Sequence, residues 1–175
     1  MGESLIIREA ELSDVPYILD IYNQGIEDHI ATLETEKKDV AYMNDWFNDH
    51  QERYKVIVAE LGNKVVGWAS LNPYNNRCAY AGVADLSIYI NRDERGKGIG
   101  KVLLSSMEEK AMENQFHKIV LFTFPFNALG QNLYRRLGYQ EVGVFKEHGI
   151  LEGKFVDVLA MEKIISQVED KTAEV

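Results

Sequence analysis

The sequence is poor in the residues that staple, break or anchor a chain. Of its 175 residues one is cysteine, Cys78, and three are proline. A lone thiol has no intramolecular disulfide partner, so a packed core must supply the stability and a reducing, cytoplasmic compartment is expected. No apolar run reaches the roughly 18–20 residues that span a bilayer. Met1-Gly2-Glu3-Ser4 lacks the basic-then-apolar pattern of a signal peptide, so neither export nor membrane association is expected. Histidine is scarce too. His29, His50, His117 and His148 lie far apart, and although His29 adjoins Glu27 and Asp28, neighbours on a chain point in different directions. No metal site is expected. Basic residues are outnumbered, and the net charge of −9 argues against a general nucleic-acid binder, which needs a basic face.

What remains is ordinary globular composition, 46% hydrophobic and 27% charged, with neither repeats nor a linker. The length suits one domain, expected over 4–165, with a polar tail over 166–175. Leu5 to Arg8 suits a strand. Ser13 is a candidate N-cap for a helix from Asp14 to about Gln24, with Val15, Ile18, Leu19, Ile21 and Tyr22 largely on one face. A second helix is expected over Val40 to His50. Gly62-Asn63 between two apolar runs signals a hairpin, because both residues accept positive φ. Asn72 to Asn76 reads as a loop and Ala79 to Ile90 as an extended segment. A helix over Ile99 to Met112 and a buried strand over Ile119 to Phe124 then imply a parallel pair with a crossover. Asn127 to Leu137 predicts a short helix stopped by Gly138, and Gly143 to Phe145 and Phe155 to Met161 flank a loop over His148 to Gly153. The fold class is α+β with a mixed sheet.

Arg95-Gly96-Lys97-Gly98-Ile99-Gly100-Lys101, between the Val83 to Ile90 strand and the Ile99 helix, carries the chemistry. Glycines at alternate positions ahead of a helix leave backbone N–H groups uncovered, and the positive end of the helix dipole adds to them. Arg92, Arg95, Lys97 and Lys101 supply positive charge, so the local pattern is a pyrophosphate cradle. A plain Gly-rich turn with solvated lysines is the alternative. Two nucleotide motifs fail on identity: Arg95 stands where a Walker loop needs its first glycine, and Lys101 where a dinucleotide fingerprint needs its third.

The turn matches [QR]-x-x-G-x-[GA], and downstream Asn127, Tyr134 and Leu137-Gly138-Tyr139 hold a second spaced pattern. Together they resemble the signatures of the GNAT superfamily of acetyl-CoA-dependent N-acetyltransferases, over Ile6 to about Ile164. Ile21-Tyr22-Asn23, Trp46-Phe47, Arg77-Cys78-Ala79-Tyr80 and Ser87-Ile88-Tyr89-Ile90 resemble its phosphinothricin acetyltransferase-like group. That group usually has Glu where this chain has Asp85. Glu152 stands where some members carry His, and Phe155 where Trp is usual.

The resemblance implies a GNAT fold with a splayed parallel strand pair. It also implies acetyl-CoA as cosubstrate and a homodimer that acetylates the amine of a small amino acid or analogue, such as phosphinothricin or methionine sulfoximine. Gly96, Lys97, Gly98, Ile99, Gly100 and Lys101, with Arg95, would hold the pyrophosphate. Ile88, Tyr89 and Ile90 would pair with the pantetheine arm, and Asn127 would bond the cofactor or cap its helix. The reaction is direct attack of a neutral amine on the thioester. Asp85 would take the ammonium proton, directly or through water, or only attract the ammonium. Tyr134 would protonate the leaving thiolate. Arg77 would grip a substrate carboxylate bidentately, and Tyr22, Asn23, Trp46 and Tyr80 would line the amine pocket. Other amines (polyamine, aminoglycoside, protein N-terminus) and an idle acyl-CoA-binding sensor are the alternatives. Cys78 has no neighbouring His and is expected to be a bystander.

Overall fold

The computed structural model describes residues 2–29, 32–50 and 52–166. Along the chain run β1 (Leu5–Glu9), α1 (Val15–Asp28), α2 (Val40–Asp49), β2 (Val56–Leu61), β3 (Lys64–Pro73), β4 (Val83–Ile90), α3 (Ile99–Glu113), β5 (Lys118–Thr123), α4 (Ala128–Arg136), β6 (Gln140–Leu151) and β7 (Lys154–Ile164). The seven strands form one sheet in the order β1-β2-β3-β4-β5-β7-β6. Among the described residues β4–β5 is its only parallel pair. This is the expected mixed α+β architecture.

Period-two alternation divides the core between the two faces of the sheet. Val56 and Val58 of β2 pack with Val15, Ile18 and Ile21 of α1 and Met43 of α2. The intervening Ile57 and Ala59 pack with Leu103, Leu104 and Met107 of α3. Gly62 and Asn63 take φ +56° and +63°, closing the β2–β3 hairpin as their residue types require. No helix among the described residues is long and apolar enough to cross a membrane.

Several local expectations give way. Ser13 caps nothing: it lies in a short 3-10 turn, Leu12–Asp14, whose Asp14 is held by Arg8 at 2.7 and 2.9 Å. Asn72 belongs to β3 rather than to a loop, because β3 pairs with β4 as far as Pro73↔Ala84. Cys78–Tyr80 is a 3-10 turn, so β4 starts at Val83 and not Ala79. Residues 148–151 continue β6, leaving only Glu152-Gly153, both at positive φ, as the turn into β7. β5 is not buried on both faces, since Phe122 is 42% exposed. The tail beyond Ser166 lies outside the described residues.

Candidate functional site

β4 and β5 pair over three residues only, Val83↔Lys118, Ala84↔Ile119 and Asp85↔Val120. Beyond Asp85 the strands part, while β4 stays bonded to β3 along its other edge to Gly67↔Ile90. The edge of β4 from Leu86 onward thus turns its main-chain donors and acceptors into a cleft. The cleft holds a cavity of about 170 Å³ whose walls are Asp85 to Tyr89, Leu121 to Phe124, Thr32, Leu33, Tyr134 and Val158.

At the end of β4 the chain enters the glycine-rich turn. Gly96 and Gly98 adopt φ +78° and +85°, a left-handed conformation that glycine takes without strain. A Cβ at either would meet nothing within 4 Å, so the space above the turn is open. Gly98 is the N-cap of α3 and no side chain caps that end of the helix. Uncapped N–H groups, the helix dipole and open space fit a diphosphate. Gly100 answers a different need: a Cβ there would come 2.9 Å from Leu133 Cδ2 of α4.

The turn's arginines are committed elsewhere. Arg95 Nη1 donates to Asp28 at 2.7 Å, and Arg92 donates to Asp28 at 2.7 and 3.1 Å and to Glu27 at 2.9 Å. Hydrogen bonds from Arg92, then Arg95, hold the Asp28 carboxyl below its ordinary value despite the opposing cost of burial. Lys97 pairs with Glu94 at 3.0 Å. The arginines thus brace the turn against the end of α1, and no side chain caps the backbone N–H groups that open α3.

Asp85 and Tyr134 line the same cavity. Burial pushes the Asp85 carboxyl up to about 6, partly offset by a hydrogen bond from Asn72 Nδ2 at 3.3 Å. Burial also pushes the Tyr134 phenol up to about 12, so it stays a proton donor at neutral pH. Asn127 caps α4 by accepting from Gly130 N at 3.1 Å, and donates to Thr123 Oγ1 at 3.0 Å.

A second cavity of about 60 Å³ adjoins the first at Ser87 and Tyr89 and is walled by Tyr22, Tyr42, Met43, Trp46 and Trp68. Tyr22, Trp46 and Tyr89 all lie against Trp68, with ring centroids 5.0 to 5.9 Å away. Asn23 does not join this wall. Its amide holds the Lys38 backbone through Nδ2 to O at 3.0 Å and N to Oδ1 at 2.9 Å. Arg77 and Tyr80 stand on the exposed β3–β4 connection and line neither cavity. Among the described residues the Arg77 guanidinium has no ion pair, whereas Arg8, Arg92, Arg95 and Arg135 each hold a carboxylate.

Sequence reasoning missed Asn72, Ser70, Ser87 and His50, which bond to one another beside Asp85. The signal was the antiparallel register that sets Asn72 opposite Asp85 and Ser70 opposite Ser87. No group of metal-ligating side chains occurs among the described residues.

The chain matches the Acetyltransferase (GNAT) family over residues 18–139. It is 31% identical over 161 residues to the L-methionine sulfoximine/L-methionine sulfone acetyltransferase of Pseudomonas aeruginosa, covering 91% of this chain and 94% of that one. Among solved structures, a ribosomal-protein-alanine N-acetyltransferase from Brucella melitensis superposes with a TM-score of 0.88 at 32% identity, over 91% of this chain and 99% of that one. The phosphinothricin acetyltransferase of Sinorhizobium meliloti, solved in complex with AcCoA, superposes with a TM-score of 0.86 at 29% identity, over 94% and 89%.

Proposed function

The chain belongs to the GNAT acetyltransferase family and is an acetyl-CoA-dependent N-acetyltransferase, and from that premise we propose that its acceptor is the amine of a small amino acid or amino-acid analogue. The observation that carries this is the meeting of Asp85 and Tyr134 in one cavity at the mouth of the β4–β5 splay. The names of the methionine sulfoximine and phosphinothricin acetyltransferases it resembles support the substrate class.

Acetyl-CoA supplies the thioester whose acetyl group is transferred. The backbone of Gly96 to Lys101 holds its diphosphate, and the open edge of β4 at Ile88 to Ile90 receives the pantetheine arm as an added strand would. Asp85 takes the proton of the substrate ammonium. An aliphatic amine has a pKa of about 10.4. A carboxyl raised to about 6 is a better acceptor for that proton than an ordinary one and remains mostly ionised at pH 7. Tyr134 gives its phenolic proton to the departing sulfur. Arg77 on the β3–β4 connection, which has no ion pair among the described residues, meets the substrate carboxylate, and the aromatic wall of Tyr22, Trp46 and Trp68 receives the side chain.

A homodimer is part of this proposal. β6 is a sheet edge with Val142, Val144, Phe145 and Ile150 exposed, and Phe122 and Phe155 are exposed on the strands inside it. So much apolar surface on one edge suits a second copy.

The test is thiol release from acetyl-CoA against amino acids, methionine sulfoximine, phosphinothricin, polyamines, aminoglycosides and an alanine-initiated peptide. Turnover confined to the amino-acid compounds is the expected result. Preference for the peptide would favour the chemistry named for the Brucella melitensis structure instead.

A further inference from the structure

Successive residues of β4 face opposite sides of the sheet. Ala84, Leu86 and Ile88 pack with the α3 cluster, and Tyr89 packs with the α1–α2 cluster. Ser87 therefore shares a face with Asp85 and Tyr89. It lines both cavities, the larger one that holds Asp85 and Tyr134 and the smaller aromatic one. An acceptor with its nitrogen at Asp85 and its side chain among Tyr22, Trp46 and Trp68 must pass Ser87.

Ser87 and Asp85 hang on one support. Asn72 Nδ2 lies 3.0 Å from Ser87 Oγ and 3.3 Å from Asp85 Oδ2. One nitrogen thus already reaches both oxygens, and a second nitrogen on the cavity side can make the same two bonds. Asn72 is itself fixed: it pairs with Asp85 across the β3–β4 ladder, and its Oδ1 lies 3.0 Å from Ser70 Oγ and 2.8 Å from His50 Nε2. A serine hydroxyl offers one hydrogen and two lone pairs. Whichever way the Asn72 amide is turned it engages only one of these three, so at least one lone pair of Ser87 Oγ is left. Among the described residues Asn72 is the one side-chain partner of Ser87.

We propose that Ser87 binds the reacting nitrogen of the acceptor: its Oγ accepts one N–H of the substrate ammonium while Asp85 accepts another. This rests on the assignment of Asp85 as the base above. An ammonium brings three donors out of water and needs an acceptor for each. Among the described residues Asp85 is the one carboxylate on either cavity wall, and Ser87 supplies a second oxygen on the same face of the strand. The other small hydroxyl deep in the cleft is on β5 and already engaged, Thr123 Oγ1 accepting from Asn127 at 3.0 Å. Two fixed acceptors stop the nitrogen from sliding along the cleft before its proton leaves. After Asp85 has taken that proton, the neutral amine still donates to Ser87 Oγ. That bond is the pivot on which the freed lone pair turns to the thioester carbonyl.

The test sets L-methionine sulfone as acceptor against the same compound without its amino group as competitive inhibitor, at saturating acetyl-CoA. In Ser87→Ala the KM for the sulfone is expected to rise roughly tenfold, the loss of one hydrogen bond to a charged group. The inhibition constant of the desamino compound and the KM for acetyl-CoA are expected to stay where they were. Ser87→Cys fills the same space with a weak acceptor and is expected to match Ser87→Ala. Ser70→Ala frees Asn72 from its buried side, away from both cavities, and is expected to move the two constants together or not at all. An unchanged sulfone KM in Ser87→Ala would overturn the proposal. So would a parallel rise for the desamino compound, or the same selective rise in Ser70→Ala. Should the unmodified protein acetylate another amine of the panel above in place of the sulfone, the proposed acceptor class falls, and Ser87 is judged on that amine and its desamino counterpart. If Ser87→Ala shows the selective loss while Asp85→Asn turns over normally, the base assignment falls and the Ser87 contact stands.

Discussion

Asn72 of β3 lies directly across the antiparallel ladder from Asp85 of β4 and donates to its carboxylate at 3.3 Å. One long hydrogen bond is a weak counterweight to burial, which is why the carboxyl rises to about 6 rather than falling. The rate constant kcat/KM is therefore expected to drop as pH falls through about 6, and Asp85→Asn to lose roughly 10²–10⁴-fold across the range. A profile flat from pH 5 to 8 would remove the base role.

The same group has a cost to stability. A carboxyl whose folded value lies above its unfolded value, about 3.9, binds protons more tightly when folded. Its contribution to stability is then complete below pH 4 and is lost as pH rises through about 6. Asp85→Asn is expected to be more stable than the unmodified protein at pH 7, by on the order of 2 kcal/mol, and no more stable at pH 4. Thermal melts at the two pH values decide it.

Tyr134 is 8% exposed and lines the cavity with its phenol held up near 12. Tyr134→Phe keeps the ring in its packing against Tyr139, centroids 5.9 Å apart, and removes only the hydroxyl. A CoA-type thiol has a pKa of about 8.5 and leaves moderately well unassisted. Turnover is therefore expected to fall roughly 10–100-fold with the KM for acetyl-CoA unchanged. An unaltered kcat would reassign the proton donor.

At Gly98 the constraint is conformation rather than space, since its φ is +85° and a Cβ would touch nothing. Alanine there is expected to cost about 1 kcal/mol of stability. It would also tilt the first N–H groups of α3 and raise the KM for acetyl-CoA several-fold, with little change in kcat. Equilibrium unfolding and steady-state kinetics on Gly98→Ala test both parts.

How much of this was legible in the sequence follows from the range of each interaction. The turn from Arg95 to Lys101 was readable because glycine conformation and helix dipole are properties of adjacent residues. The Gly62-Asn63 hairpin was readable for the same reason. The pairing of Arg95 and Arg92 with Asp28 joins residues more than sixty positions apart, and no local pattern announces it. Asn72 was lost because Asn72-Pro73-Tyr74-Asn75-Asn76 has the composition of a loop. The demand of β4 for a partner along its length draws Asn72 and Pro73 into the sheet, Pro73 as its terminal residue. His50 was invisible because its partner was assigned to the wrong element.

The edge strand offers the last prediction. Ile119 and Leu121 of β5 pack toward α3, so by alternation Phe122 faces the opposite side of the sheet. Its ring lies 6.5 Å from that of Phe145 of β6, on which His148 stacks at 4.5 Å. Phe122 and Phe145 are 42% and 47% exposed, so leaving them in water forgoes apolar burial that a second copy would recover at about 25 cal/mol per Å². A glutamate at position 145 would place a charge in that contact without touching the buried core. Phe145→Glu is expected to sediment as a monomer at micromolar concentration while its far-ultraviolet circular dichroism stays that of the unmodified protein. A variant that still sediments as a dimer would move the interface away from β6. An unmodified protein that is itself monomeric would leave this apolar edge without the partner proposed for it.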